Sequence, residues 1–164
     1  MKVNEIMTSG VSVCDLNASL ADAAKAMWDN DCGILPVMKD GNELVGLITD
    51  RDICMGTAMK GRGASTISVE EVMTGEVYSV REDDDLHRAL EMMREYKVRR
   101  LPVLDAEGKL AGLVSMNDVT LLAVEKPNQK MPGVSLKEAM ETYKAICAHP
   151  VAVEIDEKTM TATV

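Results

Sequence analysis

The chain matches itself. Displaced by 66 residues, Val3-Asn4-Glu5-Ile6-Met7-Thr8 falls on Val69-Glu70-Glu71-Val72-Met73-Thr74, and Leu35-Pro36-Val37 falls on Leu101-Pro102-Val103, without a gap. In the same register Leu44, Gly46, Leu47 and Asp52 meet Leu110, Gly112, Leu113 and Asp118, while Val11, Leu20, Ala23 and Met27 meet Val77, Leu86, Ala89 and Met93. A single register held from Val3 to Asp52 marks a duplication. That restricts the fold to one supersecondary unit built twice, each copy burying an apolar face with the help of its neighbour. The copies span about residues 3–58 and 69–124, and we divide the chain into a first repeat (1–60), a linker (61–68), a second repeat (69–126) and a C-terminal extension (127–164).

Each copy shows the same order of elements. A short helix-like start ends at Met-Thr, and a brief strand follows at Val11-Ser12-Val13 or Val77-Tyr78-Ser79-Val80. Leu20, Ala23, Ala24 and Met27 recur at helical spacing behind Ser19, as do Leu86, Ala89, Leu90 and Met93 behind Asp85, so a capped amphipathic helix comes next. Two strands, Ile34 to Met38 and Leu44 to Thr49, flank the turn Lys39-Asp40-Gly41-Asn42; their counterparts Arg100 to Leu104 and Leu110 to Ser115 flank Asp105-Ala106-Glu107-Gly108. A second helix starts at Asp50 or Met116. Gly56, Gly61 and Gly63 are expected to make the connection flexible. Gly61-Arg62-Gly63 imitates a dinucleotide fingerprint but follows a helix and lacks the third glycine, so it reads as linker. Ser135-Leu136-Lys137-Glu138 is a capping box opening a further helix that His149-Pro150 closes. Beyond it Val151, Val153 and Ile155, then Met160, Ala162 and Val164, alternate as in a terminal hairpin.

Composition narrows the function. Of 164 residues, 46% are hydrophobic, and no apolar run approaches a membrane span, so a folded cytoplasmic protein is expected. The net charge of −9 opposes a general nucleic-acid or anionic-membrane surface, and an anionic ligand needs a local basic pocket. Cys14, Cys32, Cys54 and Cys147 lack metal or redox spacing and read as buried reduced thiols. With no Phe and thirteen Met, methionine is expected to fill gaps in the core.

The Met-Thr start, the helix, the Leu-Pro-Val strand and the segment Gly46-Leu47-Ile48-Thr49-Asp50-Arg51-Asp52-Ile53 together resemble a cystathionine-β-synthase-type (CBS) domain, present as a tandem pair over about three quarters of the chain. The resemblance implies an α+β fold in which two repeats pack by their small sheets around a pseudo-twofold axis, leaving two clefts. It implies adenosine-containing ligands in those clefts and a homodimer. The C-terminal helix and hairpin fall outside it.

The cleft chemistry can be argued from the residues themselves. Thr49-Asp50-Arg51-Asp52 and Ser115-Met116-Asn117-Asp118 each sit where a strand runs into a helix, so unpaired N–H groups and the positive end of the helix dipole suit a phosphate there. Thr49 or Ser115 can donate to a phosphate oxygen, and Asp52 or Asp118 can accept from vicinal ribose hydroxyls. The same pattern is also an ordinary capping box, which a duplication copies as readily. Arg51 and the run Lys97-Val98-Arg99-Arg100 are candidate phosphate partners, or else cations offsetting a helix end. The resemblance draws the walls for an adenine ring from the short first strand, Val13 and Ser79 within it, and from Ile34-Leu35 and Arg100-Leu101. Pro36 and Pro102 cannot donate to a strand ladder and so are expected at an edge or bulge open to a ligand.

The function expected is therefore a regulatory module sensing AMP, ADP or ATP, with no further cofactor, an effector protein still to be identified, and no metal site. The alternative is an interaction or scaffold protein working through its C-terminal extension. An enzyme is disfavoured, because no Ser/His/Asp, Cys/His or metal cluster converges in the sequence.

Overall fold

The computed structural model describes residues 1–125 and 134–148. The expected hairpin over Val151 to Val164 and the helix stop at His149-Pro150 lie outside the described residues.

The first repeat contains β1 (Thr8–Ser9), β2 (Cys14–Asp15), α1 (Leu20–Asp29), β3 (Ile34–Lys39), β4 (Glu43–Thr49) and α2 (Asp50–Lys60). The second contains β5 (Val80–Arg81), α3 (Leu86–Tyr96), β6 (Arg100–Leu104), β7 (Leu110–Ser115) and α4 (Met116–Glu125), and α5 (Leu136–Cys147) follows. The fold is thus α+β. The Ser19 hydroxyl accepts from the Asp22 N–H at the start of α1, and the Asp85 carboxylate accepts from the His87 N–H at α3. Each helix begins where the cap residue predicts.

The 66-residue register survives in three dimensions. β2 runs parallel to β3 with Cys14 opposite Val37, and β5 parallel to β6 with Val80 opposite Val103. Ile34 faces Thr49 across the β3–β4 ladder as Arg100 faces Ser115 across β6–β7. Thr8 pairs with Leu113 of the other repeat, and Thr74 with Leu47 in return. The sheets are therefore linked about a pseudo-twofold axis by exchanged segments.

That exchange reaches both cores. Val3, fully buried, packs with Leu86, Leu90, Met93, Leu101 and Val114 of the second repeat. Ile67 and Val69 pack with Leu20, Met27, Leu35 and Ile48 of the first. The Val3 and Asn4 N–H groups donate to the carbonyls of Asp84 and Glu82, and those of Val69 and Glu70 to Ala18 and Leu16. Each buried Val, Leu or Ile contributes about 1.5–3 kcal/mol, so either core would lose substantially without the segment donated by the other repeat.

Several expectations are corrected. The short strands begin later, at Cys14 and Val80, because only there does the backbone meet β3 or β6; Val11 to Val13 and Val77 to Ser79 are unpaired. The connection is not a loose tether. Gly56 lies inside α2, where a Cβ would come within 2.6 Å of Val72 Cγ1, and Ile67 is buried. Pro36 and Pro102 are buried in the middle strands of their sheets rather than at edges, although the ladder does shift one residue later, between Val37 and Met38 and between Val103 and Leu104. Met27, Met38, Met93 and Met116 are core residues, but Met59 and Met140 are exposed. Of the cysteines only Cys14 is buried; Cys54 and Cys147 are exposed, and all four are free thiols.

Helix α5 breaks the symmetry. It lies across α3 and α4, with Val134 and Ala139 in the second core. Arg94 Nη1 donates to Thr142 Oγ1 at 3.4 Å, Lys97 Nζ to the Ala148 carbonyl at 2.9 Å, and His87 Nε2 stands 3.4 Å from Glu138 Oε2. The matching groove between α1 and α2 is open, a depression of about 460 Å³ lined by Ala24, Met27, Trp28, Asp50 and Ile53 among others.

Candidate functional site: two capped helix starts and an open cleft

At the start of α2, Thr49 N–H and Oγ1 both donate to Asp52 Oδ2, at 2.9 and 2.7 Å, and Asp52 N–H returns a bond to Thr49 Oγ1 at 3.2 Å. At α4, Ser115 N–H and Oγ both reach Asp118 Oδ2 at 2.7 Å, and Asp118 N–H reaches Ser115 Oγ at 3.3 Å. Both capping boxes are closed. In each, Oδ2 carries the cap, and Oδ1 has no hydrogen-bond partner among the described residues. A carboxylate oxygen held rigidly by its twin is a preorganised acceptor, so the structural and binding readings of the motif are compatible.

The Ser115–Asp118 cap opens on a cavity of about 360 Å³. Its other walls are Thr8, Gly10, Val11 and Ser12 from the first segment, Asn30 to Ile34 from the α1–β3 turn, Leu113, and Arg100. Burial and the neighbouring Arg99 pull the Arg100 guanidinium below its usual pKa, while Asp50, Tyr143 and Asp118 oppose that shift. It remains a cation, as arginine does in proteins. The cavity therefore combines the fixed Asp118 carboxylate, the exposed Asp31 carboxylate, hydroxyls and one half-buried guanidinium with the apolar faces of Val11, Ile34 and Leu113, a combination suited to a small polar ligand whose anionic group meets Arg100.

Of the residues singled out in the sequence, Ile34, Arg100, Ser115 and Asp118 come together in this cavity. Thr49 and Asp52 form the matching cap of the other repeat. Arg51, Asn117 and Arg99 are exposed and Ser79 is half-buried. Val13 is 45% exposed and lines a separate depression with Val11, Met38 and Lys109. Pro36 and Pro102 lie in the core, away from that cavity. Val11 and Ser12, in the short first segment from which the resemblance drew the adenine walls, line it too, whereas Thr8, Gly10 and Asn30 to Gly33 carry no sign of the site in the sequence because they belong to the opposite repeat, far from Asp118 in the chain. Asp31 and its counterpart Lys97 both take a positive φ, 47° and 54°, where the chain leaves α1 and α3.

Among the described residues no three His, Cys, Asp or Glu side chains gather as metal ligands, and no helix is long and apolar enough to cross a membrane.

Two copies of one unit, exchanging their first segments and carrying a Ser/Thr-x-x-Asp cap at matching helix starts, define a paired-repeat α+β module. The chain belongs to the CBS domain family, whose model matches residues 3–56 and 69–125. Hypoxic response protein 1 of Mycobacterium tuberculosis is 33% identical over 115 residues, covering 70% of this chain and 80% of that one. A crystal structure of Hypoxic Response Protein I with two coordinated zinc ions aligns with a TM-score of 0.67 at 31% identity over 74% of this chain and 98% of that one. The CBS domain pair of MJ0100, solved with 5′-methylthioadenosine and S-adenosyl-L-methionine, aligns with a TM-score of 0.67 at 27% identity, covering 74% and 98%. CBSX2, solved with AMP, aligns with a TM-score of 0.64 at 29% identity, covering 77% and 98%.

Proposed function

We propose that this chain is a cytoplasmic, non-catalytic regulatory module that binds an adenine nucleotide (AMP, ADP or ATP) and passes occupancy to an effector protein. The observation that carries the reading is the Ser115–Asp118 cap opening on the cavity that also holds Arg100. Asp118 Oδ1 accepts from the ribose hydroxyls, Ser115 and the α4 N-terminus face the phosphate, and Arg100 supplies the forked positive charge that an otherwise acidic protein lacks. Ile34 and Val11 offer apolar faces to the base. Thr49, Asp52 and Arg51 repeat the motif in the first repeat, and the complexes of MJ0100 and CBSX2 support adenosine as the shared ligand element. Isothermal titration of AMP, ADP and ATP tests this. Saturable binding without turnover, weakened by Asp118→Ala by about 1.5–3 kcal/mol, is expected, since a hydrogen-bonded charge is lost. Equal affinity in the wild type and in the Asp52→Ala, Asp118→Ala double variant would sink the reading.

The module is further proposed to be a homodimer, joined through the α1–α2 face that α5 leaves open, where Trp28 is 87% exposed. A second role, as an interaction protein acting through the C-terminal extension, is favoured by the outer face of α5, where Leu136 and Met140 are each 65% exposed.

A further inference from the structure

The two clefts are built on one plan but are not furnished alike. Gly10, Ser12 and Asn30 line the open cavity beside Ser115 and Asp118. Sixty-six residues on, in a register that every strand ladder preserves, stand Glu76, Tyr78 and Tyr96. Each of the three is larger than its counterpart. Two of them meet: the Tyr78 and Tyr96 rings stack with centroids 3.7 Å apart and planes inclined by 12°.

We propose that this stacked pair closes the base end of the Thr49–Asp52 cleft, so that each chain takes one nucleotide, in the Ser115–Asp118 cleft. The inference rests on the nucleotide-binding reading above and deepens it. A flat base needs a slot bounded by side chains that leave its volume free. Ser12 and Asn30 do so, whereas two phenol rings at their counterpart positions fill that space with each other. Each ring already gives one face to the other, so a base entering between them must break the stack, replacing one aromatic contact with another and gaining little. The Glu76 carboxylate, beside the Tyr78 hydroxyl, pushes that phenol up to about 12.

Titration of the full-length protein with AMP decides the matter. One site per chain is expected in the wild type, abolished or weakened at least tenfold by Asp118→Ala. Replacing the aromatic pair with its counterparts, Tyr78→Ser with Tyr96→Asn, should raise the count to two, and adding Asp52→Ala to that variant should return it to one. Two sites in the wild type, with one of them lost in Asp52→Ala, would overturn the closure while leaving nucleotide binding intact. That measurement needs no altered tyrosine, so it stands even if the double variant fails to fold. Absence of heat with AMP, ADP and ATP alike would overturn both readings.

Discussion

Gly112 lies directly beneath the backbone carbonyl of Thr8, so close that a Cβ on Gly112 would overlap the carbonyl oxygen. Its counterpart Gly46 is held in the same way, 2.9 Å from Cβ position to the Thr74 oxygen. These two glycines are where each repeat's first segment crosses onto the other's sheet, and the crossing needs the missing side chain rather than an unusual backbone.

Gly112→Ala should therefore destabilise the fold by about 1–3 kcal/mol, because backbone, not a flexible side chain, must move to admit the methyl group. Gly75→Ala, where nothing lies within 4 Å of the added Cβ, should stay within about 0.5 kcal/mol of the wild type. Urea denaturation of the two variants checks both values. Equal midpoints would mean that the crossing is not a tight contact in solution.

Arg100→Ala should weaken ATP far more than adenosine. Its guanidinium is the charged donor in the open cavity, and a charge-assisted bond of about 1.5–3 kcal/mol to phosphate corresponds to a loss of tenfold or more. Lysine at this position should recover only part of the loss, since it lacks the fork. The same loss for ATP and adenosine in parallel titrations would make Arg100 a structural residue.

The proposed homodimer places its interface on the open α1–α2 groove. Light scattering at micromolar concentration should give a dimer for the wild type and a monomer for Trp28→Glu, since burying an aromatic anchor is commonly worth about 2 kcal/mol or more at an interface. A monomeric wild type, or a dimer that tolerates the charge, removes this face from the assembly.

Thiol reactivity should separate the cysteines. Burial first, and Asp15 second, push the Cys14 thiol up to about 11, so at pH 8 it has far less thiolate than an ordinary cysteine. Cys54 and Cys147 are exposed and should react with a disulfide reagent at once, Cys14 only on unfolding. Its folded pKa lies above the unfolded one near 9, so its share of stability is complete below pH 9 and fades as the pH rises toward 11. Rapid modification of Cys14 in the native protein would contradict its burial.

Glu71 gives the opposite pH dependence. The Ser68 N–H, then Lys60 and Arg62, hold its carboxyl down to about 2. Its contribution is complete above the ordinary carboxyl value of 4.5 and is lost as the pH falls toward 2. Carboxyl NMR titration should find Glu71 ionised at pH 3, and in Glu71→Gln the acid side of the stability profile should flatten. A midpoint near 4.5 would show that the cluster does not hold in solution.

Much of this molecule is decided locally. Ser19, Thr49, Asp85 and Ser135 start their helices because a short polar side chain beside a helical apolar stripe leaves the backbone few better options, and that information lies within four residues. The duplication is equally plain, since sequence identity at a fixed offset needs no coordinates. The Ser115–Asp118 cap is legible for the same reason, as is Arg100 as a cation in an acidic chain. What the chain order hides is which repeat each segment serves. Val3 and Val69 are buried in the cores of the opposite repeats, and Ser12 and Asn30 face Asp118 across a cleft that forms only when the two sheets meet. Pro36 illustrates the limit, because a missing N–H suggests an edge until a two-residue neighbouring strand, too short to need that donor, makes the central position available. Likewise Tyr78 and Tyr96 are separate aromatics in the sequence and a stacked pair only in the fold. Caps and repeats rest on interactions between near neighbours in the chain, whereas cleft walls, exchanged segments and the side that α5 covers depend on contacts between residues tens of positions apart, which local spacing does not encode.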